Sequence, residues 1–296
     1  MTIVAPEAAD ALAAGRPVVA LETTIVAHGF PAGEGLAVGR ECERRIRSAG
    51  AVPATVAVLD GELRVGLSDE ELERVAAAGP AARKVGPRDL GLCVAQGALG
   101  ATTVGGTLVA CEQSGVRFFA TGGLGGVHRG WTDRPDVSAD LAALARTQVL
   151  VVSSGIKSLL DVAATIEVLE TLGVPLLGWQ TDELPLFYSA HGGPPVPRIE
   201  SAEEAAAVAR AHWQLSRSAV VVARPPVDGV DDVEPLIEAA LAEASRAGVR
   251  GQAVTPFVLA YLHDRSGGRT LDVNRRLAAD NAGLAAEIAV AFSRQS

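Results

Sequence analysis

Lysine is almost missing from this 296-residue chain: of its 26 basic residues only Lys84 and Lys157 are lysines, which leaves 24 arginines. Arginine keeps its proton at every ordinary pH and cannot attack a carbon atom, whereas a partly desolvated lysine can lose its proton and form a Schiff base. A chain that meets its need for surface cations with arginine keeps amines where amines are used. Codon bias would leave the same count, so position has to decide. Aromatics are scarce too, at 4%, which suits close-packed helices on Val and Leu strands. Positive charge is in deficit, with a net charge of -9. That argues against a nucleic-acid polymer as partner and leaves room only for a local anion pocket. The three cysteines Cys42, Cys93 and Cys111 are far apart with no CxxC pair, so a disulfide framework and a zinc site are both excluded in favour of buried thiols. His28, His191, His212 and His263 show no HExxH or paired spacing, which excludes a zinc hydrolase. No run of about 18 apolar residues and no cationic leader occurs, so no membrane is implied and a soluble, cytoplasmic protein is expected.

What is present is an alternation. Short Val-rich runs, VVAL at 18–21, TVAVL at 55–59, VRFFA at 116–120, VLVVS at 149–153, VPLLG at 174–178 and AVVVA at 219–223, alternate with helical patterns. Val38, Cys42 and Ile46 share one helix face with Gly50 behind them as a C-cap. Ser68 and Glu71 form a capping box. Leu159, Ile166 and Leu169 make a third stripe that stops at Gly173-Val174-Pro175. The pattern predicts an α/β fold, three layers α/β/α around a central, largely parallel or mixed sheet. The length allows one large domain or two small ones, and no low-complexity linker divides it. The Pro/Gly-rich stretch 191–197 reads as a loop.

In such sheets chemistry gathers at the carboxyl ends of strands. Glu22-Thr23-Thr24, Thr121-Gly122-Gly123, Ser153 to Lys157 and Arg224-Pro225-Pro226 each come directly after a Val-rich run. Lys157 lies between a buried strand and the helix after it, where a surface cation gains nothing from the helix dipole, so it is the sharper candidate for a nucleophile. Glu22 puts a carboxyl where the chain should already be buried, a setting for general acid work or for a structural bond to backbone amides. The segment 132–140 holds Asp133, Asp136 and Asp140, the last two one helical turn apart. It can supply carboxylates to Mg²⁺ or Mn²⁺, or simply cap a helix. The run Gly122 to Gly130 is flexible backbone fit to approach an anion, with His128 where a dinucleotide motif would need glycine. Lys84 and the glycine-containing stretch 100–107 are further anion-binding candidates or plain turns.

The strings ALETTIVAHGFP at 20–31, VPATVAVLDGELRVGL at 52–67, KVGPRDL at 84–90, FATGGLGGVHRG at 119–130, DVSADL at 136–141, SGIKSLLD at 154–161 and VTPFVL at 254–259 together resemble the pseudouridine-5'-phosphate glycosidases, the indigoidine synthase A-like family. They run in family order along nearly the whole chain, so the resemblance implies a single domain over 1–296. It implies a homotrimeric, manganese-dependent enzyme that reversibly cleaves the C–C glycosidic bond of pseudouridine 5'-phosphate to uracil and ribose 5-phosphate, in the direction of pseudouridine breakdown. It further implies Lys157 as the covalent lysine, Glu22 as proton donor, and Asp136 as the Mn²⁺ ligand. Ser138, Ala139 and Asp140, with Lys84 and Val104, would contact substrate; His128 and Asn281 are added as neighbours.

Two positions depart from the family pattern: Arg224 where it often has Asn before Pro, and Asp280 in place of the first of two asparagines. Two other readings share these residues. A Schiff-base aldolase or other phosphosugar lyase would use the same lysine, and a non-catalytic phosphosugar-binding protein would use the pocket alone.

Overall fold

The computed structural model describes residues 1–133 and 135–294. Its strands are β1 (Thr2–Val4), β2 (Val18–Leu21), β3 (Val52–Leu59), β4 (Glu62–Val65), β5 (Arg83–Val85), β6 (Gly100–Thr102), β7 (Phe118–Ala120), β8 (Leu150–Ser153), β9 (Leu176–Trp179), β10 (Arg198–Ile199) and β11 (Val220–Ala223). They form one sheet in the order β1-β4-β3-β2-β7-β8-β11-β9-β10, with β6 on β3 and β5 on β6. Only β3 pairs antiparallel, with β4 and with β6; the other pairs are parallel. The sheet is therefore mixed and largely parallel, as the alternation of strands and helices leads one to expect.

Each central strand feeds two separate cores by its period of two. Val19, Leu21, Phe118, Ala120, Leu150, Val152, Val220 and Val222 face one cluster, packed on Gly35–Ser48, Ala202–Leu215 and Arg269–Arg294. Val18, Ala20, Phe119, Val149, Val151, Ala219 and Val221 face the other, under Pro6–Ala13, Val104–Ser114, Ala139–Leu144 and Val162–Thr171. Burial on both faces explains why these strands read as unbroken apolar runs rather than alternating ones. Fully burying one such Val or Leu is worth about 1.5–3 kcal/mol, and that term holds the layers together.

Several local details match their sequence signals. The Ser68–Glu71 capping box closes in both directions, Glu71 N donating to Ser68 Oγ at 3.2 Å and Ser68 N to Glu71 Oε2 at 2.9 Å. Ala49 caps Gly35–Ser48, and Gly50 takes the left-handed position after it at φ +90°. All three cysteines are buried and free; burial pushes the Cys42 and Cys111 thiols up to about 12.

Others differ. The third helix starts at Val162, not at Leu159, because the Asp161 side chain accepts from Ala164 N at 3.0 Å and caps it there. The stretch 100–107 is no mere turn: it holds the whole of β6 and opens the helix Val104–Ser114, with Thr103 as N-cap. Asp136 and Asp140 do not share a helix, since Ala139–Leu144 begins after Asp136 with Ser138 as its cap. Arg134, between Asp133 and Pro135, lies outside the described residues. Among the described residues no helix is long and apolar enough to cross a membrane.

Candidate active site

At the carboxyl ends of β2, β6, β7 and β8 lies a cleft of about 300 Å³. Glu22, Lys84, Val104, His128, Asp136, Ser138, Ala139, Asp140 and Lys157 all line it. Gathering residues so far apart in sequence needs only the parallel topology, because each strand delivers the segment after it to the same edge.

Glu22 comes immediately after β2 and is 5% exposed. Its two carboxylate oxygens accept from the hydroxyls of Thr24 and Thr121, which fix the carboxylate beside the cleft. Lys157 sits in the irregular segment after β8, four residues ahead of the Asp161 cap, with its amide donating to Leu124 O at 3.1 Å. Gly155 makes this segment possible: it holds φ +77°, and a Cβ there would collide with the Pro185 carbonyl. Lys157 also borders a small inner chamber of about 50 Å³, with Glu22, Thr121, Gly122, Gly123, Phe187 and Asn274.

Lys84 comes from β5, and its Nζ donates to Gln252 O at 3.1 Å. Burial, and secondarily the charge of Lys157, hold its pKa below the usual lysine value, against the pull of Asp140, Glu22 and Asp136. The two lysines of the chain thus face one site. Burial likewise keeps His128 below the usual histidine value, with Asp136 opposing and both lysines adding. His28 is lowered in the same way by burial and by Lys84.

Asp140 is a tie rather than an open carboxylate. Gly105 N donates to its Oδ1 at 2.8 Å and Gly125 N to its Oδ2 at 3.0 Å. The carboxylate joins the start of the helix Val104–Ser114 to the glycine-rich segment. Gly125 must lack a side chain here, because a Cβ would run into Asp140 and Ser138. Asn281 does not reach the cleft. It is fully buried behind the floor, its Nδ2 donating to Thr121 O at 2.9 Å and Ser154 Oγ at 3.1 Å, so it joins the segments after β7 and β8.

For a metal, the available donors are Asp136, half-exposed in the cleft, and His128, whose Nδ1 lies 4.0 Å from Asp136 Oδ2. Among the described residues no cluster of three or more His, Cys, Asp or Glu forms. This set does not suit a protein-caged ion. It suits a hard divalent cation that keeps most of its waters and shares substrate oxygens.

Several wall residues carry no sequence signal. Gln252 comes from the 3₁₀ turn Gly251–Ala253 and Thr255 from the helix Val254–Arg265 directly after it, and the two form one wall of the cleft. Asn274 is 3% exposed in the inner chamber, its Nδ2 donating only a 3.5 Å bond to Gly29 O. Thr255 does fall in the string VTPFVL; Asn274 and Phe187 are isolated residues whose place only the fold reveals.

The family model described as indigoidine synthase A like protein matches residues 7–291. A pseudouridine-5'-phosphate glycosidase of Myxococcus xanthus is 47% identical over 296 residues, covering 98% of each chain. One of Streptomyces griseus is 50% identical over 297 residues, covering 98% of this chain and 91% of that one. Among solved structures, the prealnumycin C-glycosynthase AlnA in complex with ribulose 5-phosphate superposes with a TM-score of 0.91 at 40% identity, covering 100% of this chain and 98% of that one. An indigoidine synthase A-like protein of Thermotoga maritima gives 0.87 at 40% identity, covering 95% and 94%.

Proposed function

The chain belongs to the indigoidine synthase A-like family, and from that premise we propose that it is a pseudouridine-5'-phosphate glycosidase. It splits the C–C glycosidic bond reversibly, consuming water and giving uracil and ribose 5-phosphate. The observation that carries this reading is the placing of Lys157 and Glu22 on the walls of one cleft that also holds Lys84. The names of the relatives and the ribulose 5-phosphate bound by AlnA support it.

A carbon–carbon glycosidic bond has no heteroatom leaving group, so its electrons need a sink and the sugar needs a partner. The ribose ring opens at C1′–O4′, the bonding electrons staying on O4′, and the Lys157 amine bonds to C1′ while the proton it gives up makes O4′ a hydroxyl. The C1′–C5 bond then breaks with its electrons going to uracil, whose C5 takes a proton from Glu22, and C1′ is left as an imine on Lys157. Water hydrolyses the imine, freeing ribose 5-phosphate and the amine. Lys84 serves the phosphate as a point charge, and Asn274 offers a carboxamide to the imide edge of uracil in the inner chamber. Asp136, with His128 near it, would hold Mn²⁺. When bound, the ion supplies positive charge beside the anionic substrate. A homotrimer working toward pseudouridine breakdown completes the proposal.

Incubation with pseudouridine 5'-phosphate, with and without Mn²⁺, tests it: uracil release is expected. Absence of release together with a borohydride-trapped ribose 5-phosphate adduct would favour an aldolase or lyase. Absence of both would leave a binding protein.

A further inference from the structure

Lys157 stands on a turn with no regular secondary structure, yet an amine that must meet C1′ has to be held to a fraction of an ångström. The turn closes on itself through Leu160 N, which donates to Lys157 O at 3.0 Å. Two further carbonyls of the turn, of Ser158 and Leu160, belong to residues 7% and 2% exposed. Both are met by one side chain. Arg129 Nη2 donates to Ser158 O at 2.6 Å, and Arg129 Nε donates to Leu160 O at 3.3 Å.

The same guanidinium is anchored from the far side. Glu234, at the start of Glu234–Arg246, accepts from Nη1 and, at 3.1 Å, from Nη2. Arg129 also adjoins His128, which bridges Leu160 by backbone pairing. A fork with five N–H donors can serve two carbonyls and a carboxylate together, which a lysine ammonium cannot do in a fixed plane. We propose that Arg129 is a positioning residue for Lys157: it fixes the turn that carries the amine and ties it to the start of the helix Glu234–Arg246. This rests on the reading of Lys157 as the nucleophile, and it assigns Arg129 no contact with substrate.

The test uses the whole enzyme with Arg129→Ala, Arg129→Lys and Glu234→Gln. Because misplacing a reacting group by about 1 Å costs on the order of 100-fold, Arg129→Ala is expected to lower kcat by about 30-fold or more while KM changes less than about threefold. Borohydride trapping with ribose 5-phosphate should slow in parallel, and added guanidinium should restore part of the loss in Arg129→Ala alone. Glu234→Gln keeps both carbonyl bonds and should cost only about threefold on the same reasoning.

With two lysines in the chain, limited labelling by an amine reagent, read by mass spectrometry, gives the ratio of Lys157 to Lys84 modification. That ratio should shift in Arg129→Ala without substrate. Unchanged trapping rate and unchanged ratio in a folded Arg129→Ala would overturn the proposal. So would a kcat loss matched by loss of folded protein, and if Arg129→Ala does not fold at all, the same readouts on Arg129→Lys decide. Should the wild-type enzyme form no adduct, the nucleophile reading fails, while the labelling ratio still decides whether Arg129 sets the environment of Lys157.

Discussion

Arg224 Nη1 lies 3.2 Å from Asp280 Oδ2, so the two positions that read in the sequence as departures from the resemblance meet each other. Neither side chain is more than 20% exposed, and Asp280 is shared with Arg45 at 3.5 Å. The contact is a partly buried ion pair that links the segment after β11 to the helix Arg269–Arg294. Asp280 adjoins Asn281 and Arg224 N donates to Ser153 O at 2.8 Å, so the pair braces the ground behind the segment that carries Lys157. Arg224→Asn should cost about 1–2 kcal/mol, between exposed and buried ion pairs. Asp280→Asn should cost more, because it leaves two arginines facing each other. Denaturant melts of the single and double variants check this; full additivity would mean the two residues do not interact.

Replacing either lysine with arginine should hurt, unequally. Lys157→Arg keeps the charge but holds its proton, so uracil release should fall by at least about 1,000-fold with no borohydride adduct. Lys84→Arg should mainly raise KM, and near wild-type turnover by Lys157→Arg would rule out covalent catalysis. Since burial and the neighbouring Lys157 lower the Lys84 pKa, its charge is lost earlier than an exposed lysine's as pH rises. KM for the phosphorylated substrate should therefore climb in the alkaline range before ordinary lysines titrate. A flat KM across that range counts against Lys84 as the phosphate cation.

Glu22→Gln keeps a hydrogen-bonding group beside Thr24 and Thr121 but has no proton to give. A drop in kcat of about 100-fold or more is expected, within the range for general acid catalysis. Measured with pseudouridine 5'-phosphate, a loss confined to KM would remove the acid role.

For Asp136→Asn, activity should no longer respond to added Mn²⁺ or to chelator. Undiminished metal dependence in this variant sinks the ligand assignment.

His263 offers a pH test of stability. Burial lowers its pKa to about 4, with Glu34 opposing and Arg275 adding, and its Nε2 is buried without a partner. Between pH 6.5 and about 4 the unfolded chain binds a proton there that the folded chain refuses, so stability falls as pH drops through that window. His263→Leu should flatten the fall by roughly 1–2 kcal/mol, as read from melts at pH 7 and pH 4.5. Parallel curves for the two proteins would mean that folding leaves this imidazole's affinity for its proton unchanged.

The strands were legible because burial on both sheet faces forces Val-rich runs, and Lys157 and Glu22 because both lie just past such runs. Val52–Leu59 proved longer than its apolar signal, since Pro53 and Ala54 still pair with Val19 and Ala20. What stayed hidden depends on long-range packing. Asn274 and Asn281 lie seven residues apart on one helix, but one enters the inner chamber and the other the space beneath the floor. Asp140 read as a carboxylate for a ligand; only the arrival of Gly105 and Gly125 turns it into a tie.

The helix Arg269–Arg294 packs against β2, β7 and β8 and supplies both asparagines. On the ribosome those strands leave the exit tunnel long before their covering does. Until that helix emerges, one apolar face of the sheet is covered only in part, by Gly35–Ser48 and Ala202–Leu215. A chain stopped ahead of residue 269 would therefore hold Lys157, Glu22 and Asp136 yet lack the helix that packs behind the strands that carry Glu22 and Lys157 to the cleft.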